Sequence, residues 1–140
     1  MNSKNQLKGQ YKFILTFNAP LYGNIHLTSP TQTNKITSEG NEFILRRLYN
    51  NAAAPINYIY ISKTDNSDKK ICKKISKTDL KTNGAVFHAE FTNTEMAGID
   101  EIGLTNKEKD GTIITVSTLD EHFSKVPDGT NINVVYTLTL

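Results

Sequence analysis

Hydrophobic and polar residues alternate along several short stretches of this chain, which is the pattern of β-strands with one buried face. The first clear stretch places Tyr11, Phe13, Leu15 and Phe17 on one side of a strand. The last stretch, Ile132–Leu140, is the most regular, because it has an apolar residue at every second position. We therefore predict a half-buried strand from Tyr11 and an internal strand at the C-terminal end.

Six further stretches have the alternation or the β-branched and aromatic composition of strands. They are Leu21–Leu27, Ile56–Ile61, Lys69–Lys81, Ala85–Phe91, Ile99–Leu104 and Ile113–Thr118. Turn signals such as Lys109-Asp110-Gly111 and Asp128-Gly129 separate them, and the polar stretch Thr28–Lys35 is predicted to be a loop. About eight strands at this short spacing predict a mainly β fold, an antiparallel β-sandwich of jelly-roll type.

One segment has the periodicity of a short helix. Ser38 is its predicted N-cap, and the apolar residues between Phe43 and Tyr49 recur at helical spacings. Glu42 and Arg46 form an i, i+4 pair of the favourable orientation. Pro55 closes the segment, because proline resists continuing a helix.

Composition is that of one ordered domain. The 140 residues are the usual size of a single domain, and 37% hydrophobic residues with a net charge of +2 disfavour disorder. Residues 11–140 are predicted to be that domain. Residues 1–10 are predicted to be a flexible arm, with Leu7 as its large apolar residue and with Lys4 and Lys8 suited to an acidic partner. The sequence has no signal peptide or membrane-spanning stretch, so we expect synthesis in the cytoplasm and no membrane partner.

Candidate catalytic and metal-ligating residues are few. His26, His88 and His122 are far apart in sequence and lack neighbours at metal-ligand spacing. Ser124 beside His122, or Cys72 with a distant histidine, could form a nucleophile–base pair, but no third orienting group is indicated. The single cysteine excludes an intrachain disulfide. We therefore predict no catalytic, metal or cofactor site, and no enzyme.

Two charged features remain. The stretch Lys69–Lys81 contains six lysines without interleaved aromatic residues. This pattern favours lysine protection of an edge strand over nucleic-acid binding, so no nucleic-acid partner is expected. Glu101 lies within the apolar run Ile99–Leu104, and we expect it to be partly buried in a structural ion pair with a lysine or arginine.

The order of segments from Ile36 onward resembles a family of bacteriophage virion proteins of the tail-fibre and tail-collar type. That family has a short helix, a strand with alternating isoleucines, an F-x-A-x-F strand, an I-x-E-I-G-L segment and an alternating C-terminal strand. The matching pieces are Gly40–Tyr49, Ile56–Ile61, Phe87–Phe91, Ile99–Leu104, Gly111–Ile114, Phe123–Lys125 and Asn133–Leu140. They span about three quarters of the chain.

The resemblance implies a non-enzymatic structural protein of the phage particle. Its partners would be other virion proteins of the tail, baseplate or capsid, with further copies of itself in the assembly, and its location would be the virion. One alternative is a capsid decoration protein. A second alternative, from another class, is a module that binds host glycan, although the chain has no tryptophan to stack on sugar rings.

Overall fold

Ten strands and two short helices are present in residues 8–19, 21, 23–49, 55–63, 66–119 and 126–139, the part of the chain that the computed structural model describes. The strands are β1 (Lys8–Ala19), β2 (Gly23–Thr28), β3 (Gln32–Ile36), β4 (Tyr58–Lys63), β5 (Asn66–Lys74), β6 (Lys77–Lys81), β7 (Gly84–Thr92), β8 (Glu101–Thr105), β9 (Ile113–Thr118) and β10 (Asn131–Thr139). The helices are α1 (Ser38–Tyr49) and α2 (Asn93–Met96).

All ten strands belong to one antiparallel sheet that curls into a half-barrel. Nine of them follow the order β5-β4-β8-β9-β3-β1-β10-β7-β6, and β2 lies beside β1. The predicted mainly β, antiparallel fold is therefore confirmed. The two separate sheets of a sandwich are not confirmed, because β3 pairs with β1 on one side and with β9 on the other and so joins the two halves.

The curl brings the two edges of the sheet together at one end. Strands β5 and β6 are consecutive in the chain but lie at opposite ends of the strand order. Between them, the Ile75 amide donates to the Asn57 carbonyl at 2.7 Å, and the Ser76 amide donates to the His88 carbonyl at 2.8 Å. Two residues thus carry the chain from the β4 side of the sheet to the β7 side.

The core fills the concave side of this sheet. Its largest fully buried side chains come from both halves and include Phe13, Ile59, Ile61, Phe91, Ile102, Leu104, Ile114, Ile132, Val134 and Tyr136. Polar contacts also join the halves, because the Tyr136 hydroxyl lies 2.6 Å from Thr115 Oγ1 and the Tyr11 hydroxyl lies 3.0 Å from Ser117 Oγ. Burial raises the pKa of Tyr136 well above its usual range, so this hydroxyl is neutral.

The C-terminal strand is internal, as predicted. β10 pairs with β1 and β7 along its length, and Ile132, Val134, Tyr136 and Leu138 are buried. Leu140 lies outside the described residues. The predicted central strand Ile56–Ile61 is confirmed from Tyr58 onward, where β4 begins and pairs with β5 and β8.

Two assignments differ from the predictions. The predicted loop Thr28–Lys35 contains β3, which is paired through Gly9–Tyr11 of β1 and is therefore held by tertiary contacts rather than by its own polar sequence. Lys8–Gln10, predicted to be part of the arm, form the start of β1 opposite Thr137–Thr139. The rest of the predicted arm, 1–7, lies outside the described residues.

The predicted helix is confirmed, but its cap differs. Thr37 rather than Ser38 caps α1, because Thr37 Oγ1 accepts a hydrogen bond from the Gly40 amide at 2.8 Å. Phe43 is buried in the core. Gly40 is required for packing, because a Cβ at this position would fall against the backbone of Ile114. The Arg46 side chain and Asn50–Asn51 lie outside what the structure describes.

Candidate functional site

The histidines and the cysteine do not meet in the described structure. His26 lies on β2 and His88 on β7, with β1 and β10 between those strands, so the two histidines are more than about 14 Å apart at ordinary strand spacing. Cys72 lies on β5, where its thiol faces the Glu108 carbonyl at 3.6 Å. Burial raises the pKa of Cys72, which disfavours the reactive thiolate. His122 and Ser124 lie outside the described residues.

Within the described ranges, no group of three or more His, Cys, Asp or Glu side chains is placed to hold a metal ion. His88 instead belongs to a surface cluster on the β6 and β7 strands. Its Nε2 lies 3.4 Å from Asp79 Oδ2, and Lys77 Nζ lies 3.7 Å from the same oxygen. Both are ordinary surface contacts, one between β6 and β7 and the other within β6.

Glu101 has hydroxyl partners where the sequence predicted a cation. Its Oε2 accepts from Ser62 Oγ at 2.9 Å and from the Tyr60 hydroxyl at 3.3 Å. Among the side chains that the structure describes, the prediction of an ion pair at Glu101 is therefore wrong. Tyr60 is buried, since Lys70 Nζ lies 5.0 Å from its ring centroid and Gly103 lies opposite it on β8. The cluster fixes the ring of Tyr60 on the sheet and has a structural function.

The lysine-rich stretch forms both ends of the strand order. β5 is one edge of the sheet and β6 is the other, so the single predicted edge strand is two. Lys73 Nζ makes a 2.7 Å ion pair with Glu95 Oε2, which lies in α2 after β7. Burial alone would raise the pKa of Glu95, but the hydrogen bond from Lys73 and the bonds with Thr92 outweigh it and lower the pKa. These edges carry the lysines that discourage strand addition.

The hairpin formed by β1 and β2 differs from the lysine-bearing edges β5 and β6. β2 pairs with β1 alone, and beyond Thr16 the described partner of β1 is β2. Cross-strand pairs Leu15–Leu27 and Phe17–Ile25 lie on one face of this hairpin, as a continuation of the core-facing side of β1. We call these four residues the hairpin strip.

Exposed leucines mark this hairpin. Leu27 is 53% exposed in β2, and Leu21, between the two strands, is 88% exposed. The third large exposed apolar residue in the described structure is Leu80, on the β6 edge. Two of the three thus lie on the hairpin, and neither contributes to the core.

β2 has no lysine, arginine, aspartate or glutamate, because its sequence is Gly-Asn-Ile-His-Leu-Thr. Asn24, His26 and Thr28 are all exposed. His26 Nδ1 lies 2.9 Å from Thr16 Oγ1, so the ring packs back on β1 and leaves the strand edge open. An uncharged, exposed edge is the kind to which another strand can add.

A shallow groove of about 610 Å³ lies between β3 and β9. Residues 33–35 and 116–118 line it, and they include Thr33, Asn34, Lys35 and Ser117. None of the six is aromatic, so the groove offers no stacking platform for a sugar ring. The groove therefore supports a glycan site less well than the exposed leucines of the hairpin support an interaction surface.

Comparison with known proteins gives no match: no family model, curated protein or solved structure is similar to this chain. Neither helix of the described residues is long and apolar enough to cross a membrane. The described geometry is that of a curled antiparallel β-sheet with two lysine-bearing edges and one uncharged hairpin edge.

Proposed function

We propose that this chain is a non-enzymatic structural protein of a bacteriophage virion, a module that docks on the particle surface at the tail, baseplate or fibre attachment. In this proposal the two halves of the curled sheet act as the layers of a small β-sandwich. The sequence resemblance from Ile36 onward is one support. The other is the β1–β2 hairpin, where Leu21 and Leu27 are exposed and do not belong to the core.

The hairpin is the observation that carries the proposal. Exposed apolar residues that lie together on one surface mark interaction sites, whereas single scattered ones are ordinary. Leu21 and Leu27 are exposed, whereas Tyr11 and Phe13 of β1 are buried in the core. The proposed docking surface is therefore the hairpin, which takes the place that the sequence suggested for the N-terminal arm.

A capsid decoration protein is the nearest alternative, and it would use the same surface on a different part of the particle. A host-glycan module is the more distant alternative. It would need exposed aromatic rings, whereas the tyrosines whose side chains the structure describes are buried (Tyr11, Tyr60 and Tyr136) or half-buried (Tyr58). The proposal assigns no catalytic residue, so we expect no hydrolysis of cell-wall or polysaccharide substrates.

The test is to locate the chain in intact particles. Phage particles produced with this chain should contain it in stoichiometric amounts by mass spectrometry, and a cryo-EM map should show the hairpin against a neighbouring subunit. A variant with Leu21→Ser and Leu27→Ser should fold normally and be incorporated poorly, whereas Leu80→Ser should be incorporated like the parent. Particles that lack the chain, or a map in which the hairpin faces solvent, would refute the proposal.

A further inference from the structure

We propose that the free edge of β2 pairs antiparallel with β2 of a second copy of this chain, about a two-fold axis that passes through His26. The inference rests on the proposed assembly function and names a partner for its docking hairpin. It is argued from the direction of the backbone groups of β2, from the symmetry of its sequence and from the charge of the other edges.

The backbone groups of alternate residues point to opposite sides of a strand. The Ser29 amide donates to the Phe13 carbonyl at 2.9 Å, so residue 29 has its backbone groups directed toward β1. The register then assigns the same direction to Leu27 and Ile25, opposite Leu15 and Phe17. Asn24, His26 and Thr28 therefore direct their N–H and C=O groups to the free edge.

A two-fold axis through His26 uses all of these groups. It places His26 opposite His26 of the second copy and Asn24 opposite Thr28, in pairs of the hydrogen-bonded type. Each pair exchanges two N–H···O=C bonds, so the three outward residues of both copies would be fully satisfied. An axis through Ile25 would leave Thr28 without an opposing β2 residue, because it would pair with position 22, beyond the strand.

The same axis joins the apolar side chains of the two copies. Ile25 of one copy falls opposite Leu27 of the other, on the face of the hairpin strip. The two strips then form one continuous apolar band, which would cover Leu27, now 53% exposed. A self-complementary patch of this kind is what a two-fold interface requires.

Charge explains why β2 rather than another edge would be used. A pairing of β5 with β5 or of β6 with β6 would bring lysines together, including Lys70, Lys74, Lys77 and Lys81, which lie on those edges. Like charges opposite each other destabilise strand pairs. β2 has no lysine, arginine or carboxylate to oppose its own copy.

Sedimentation velocity across a range of micromolar concentrations tests the pairing. The parent chain should shift from monomer to dimer as its concentration rises. His26→Lys sets two ammonium groups opposite each other, and Leu27→Lys sets a charge within the apolar band, so each should weaken dimerisation about tenfold or more. Leu80→Lys is the matched control, because it also replaces an exposed leucine on an edge strand, and it should leave dimerisation unchanged.

A cross-link tests the register. In a Cys72→Ser background, His26→Cys should form an intermolecular disulfide readily, because Cα atoms of a hydrogen-bonded pair lie about 5.5 Å apart, within disulfide range. Leu80→Cys in the same background should not. A parent that stays monomeric throughout, equal effects of the lysine variants at both edges, or equal cross-linking at both positions would overturn the inference.

The two proposals fail in different ways. If the chain dimerises through β2 but is absent from particles, the virion function is refuted and the β2 pairing stands. A monomer whose incorporation into particles depends on Leu21 and Leu27 would refute the pairing and leave the docking hairpin, with another virion protein as its partner.

Discussion

Within the part of the chain that the structure describes, three strands have one edge without a strand partner, and these edges differ in the charges that they carry. β5 and β6, at the two ends of the strand order, carry lysines. The free side of β2 carries none, although its residues are equally exposed. An unpaired strand edge can pair with another chain. The difference therefore indicates that lysines protect the edges of β5 and β6, and that the edge of β2 is available for a partner.

The β5 edge is also tied to the body of the protein. Lys70 packs over the ring of Tyr60, and Lys73 is paired with Glu95 across the gap between β5 and α2. β2, in contrast, has β1 as its only strand partner in the described structure. We therefore expect that the exposed residues of the hairpin can be altered with little effect on the fold, and the following experiments examine this.

The largest difference is expected between two phenylalanines of β1. Phe13 is fully buried, so Phe13→Ala should lower the free energy of unfolding by about 3–5 kcal/mol. Phe17 lies in the hairpin and is half-buried, so Phe17→Ala should cost less than about 1 kcal/mol and should mainly weaken association. Urea unfolding at low protein concentration measures both. Equal losses would mean that the hairpin belongs to the core.

A second experiment concerns the support of the β5 edge. A Cβ at Gly103 would fall against the carbonyl of Thr115 and 2.6 Å from Cε1 of Tyr60, so Gly103→Ala should cost about 1–3 kcal/mol. Thr118→Ala, an exposed change on the neighbouring strand, is the control. If Gly103→Ala is as stable as the parent in thermal unfolding, Tyr60 does not lie across this position.

A smaller effect is expected at the ion pair of the β5 edge. Glu95→Gln should lower stability by up to about 1 kcal/mol at neutral pH, because Lys73 loses its partner. The pKa of Glu95 is lowered in the folded state. Its contribution is therefore present above the pKa of the unfolded chain and is lost as the pH falls through the lower folded-state value. Unfolding curves of parent and variant should converge in acid, and a pH-independent difference would contradict this account.

The smallest change in stability is expected when the lysines that protect the β6 edge are replaced. Lys77→Thr with Lys81→Thr should alter the free energy of unfolding by less than about 0.5 kcal/mol, since both positions are exposed. The variant should nevertheless aggregate faster in light scattering, because its edge resembles that of β2. Unchanged solubility would show that lysines do not protect this edge.

The sequence predicted the elements in which the spacing of apolar residues matches their burial in the structure. Alternation identified β10, and helical spacing identified α1. The same alternation continues from Tyr11 to Phe17, yet Phe13 is buried and Phe17 only half-buried. A period of two shows which side chains share a face, but the end of the core depends on where the neighbouring strands stop.

Other misses have recognisable physical causes. β3 is a polar strand that is held by pairing with β1 and β9, so its own residues gave no strand signal. The short helix α2 did have a signal in the sequence, because Thr92 and Glu95 have the spacing of a capping box and form one in the structure. The hydroxyl partners of Glu101 lie 39 and 41 residues away along the chain, and no local pattern identifies contacts of that length.

The most direct test of the central claim is hydrogen exchange at the amides of β2 over a range of protein concentrations. The amides of Ile25 and Leu27 face β1 and should be protected at every concentration. Those of Asn24, His26 and Thr28 face the free edge, and they should exchange fast in dilute protein and slow together as the concentration rises. If the exchange of these three amides is independent of concentration, β2 does not pair with a second copy.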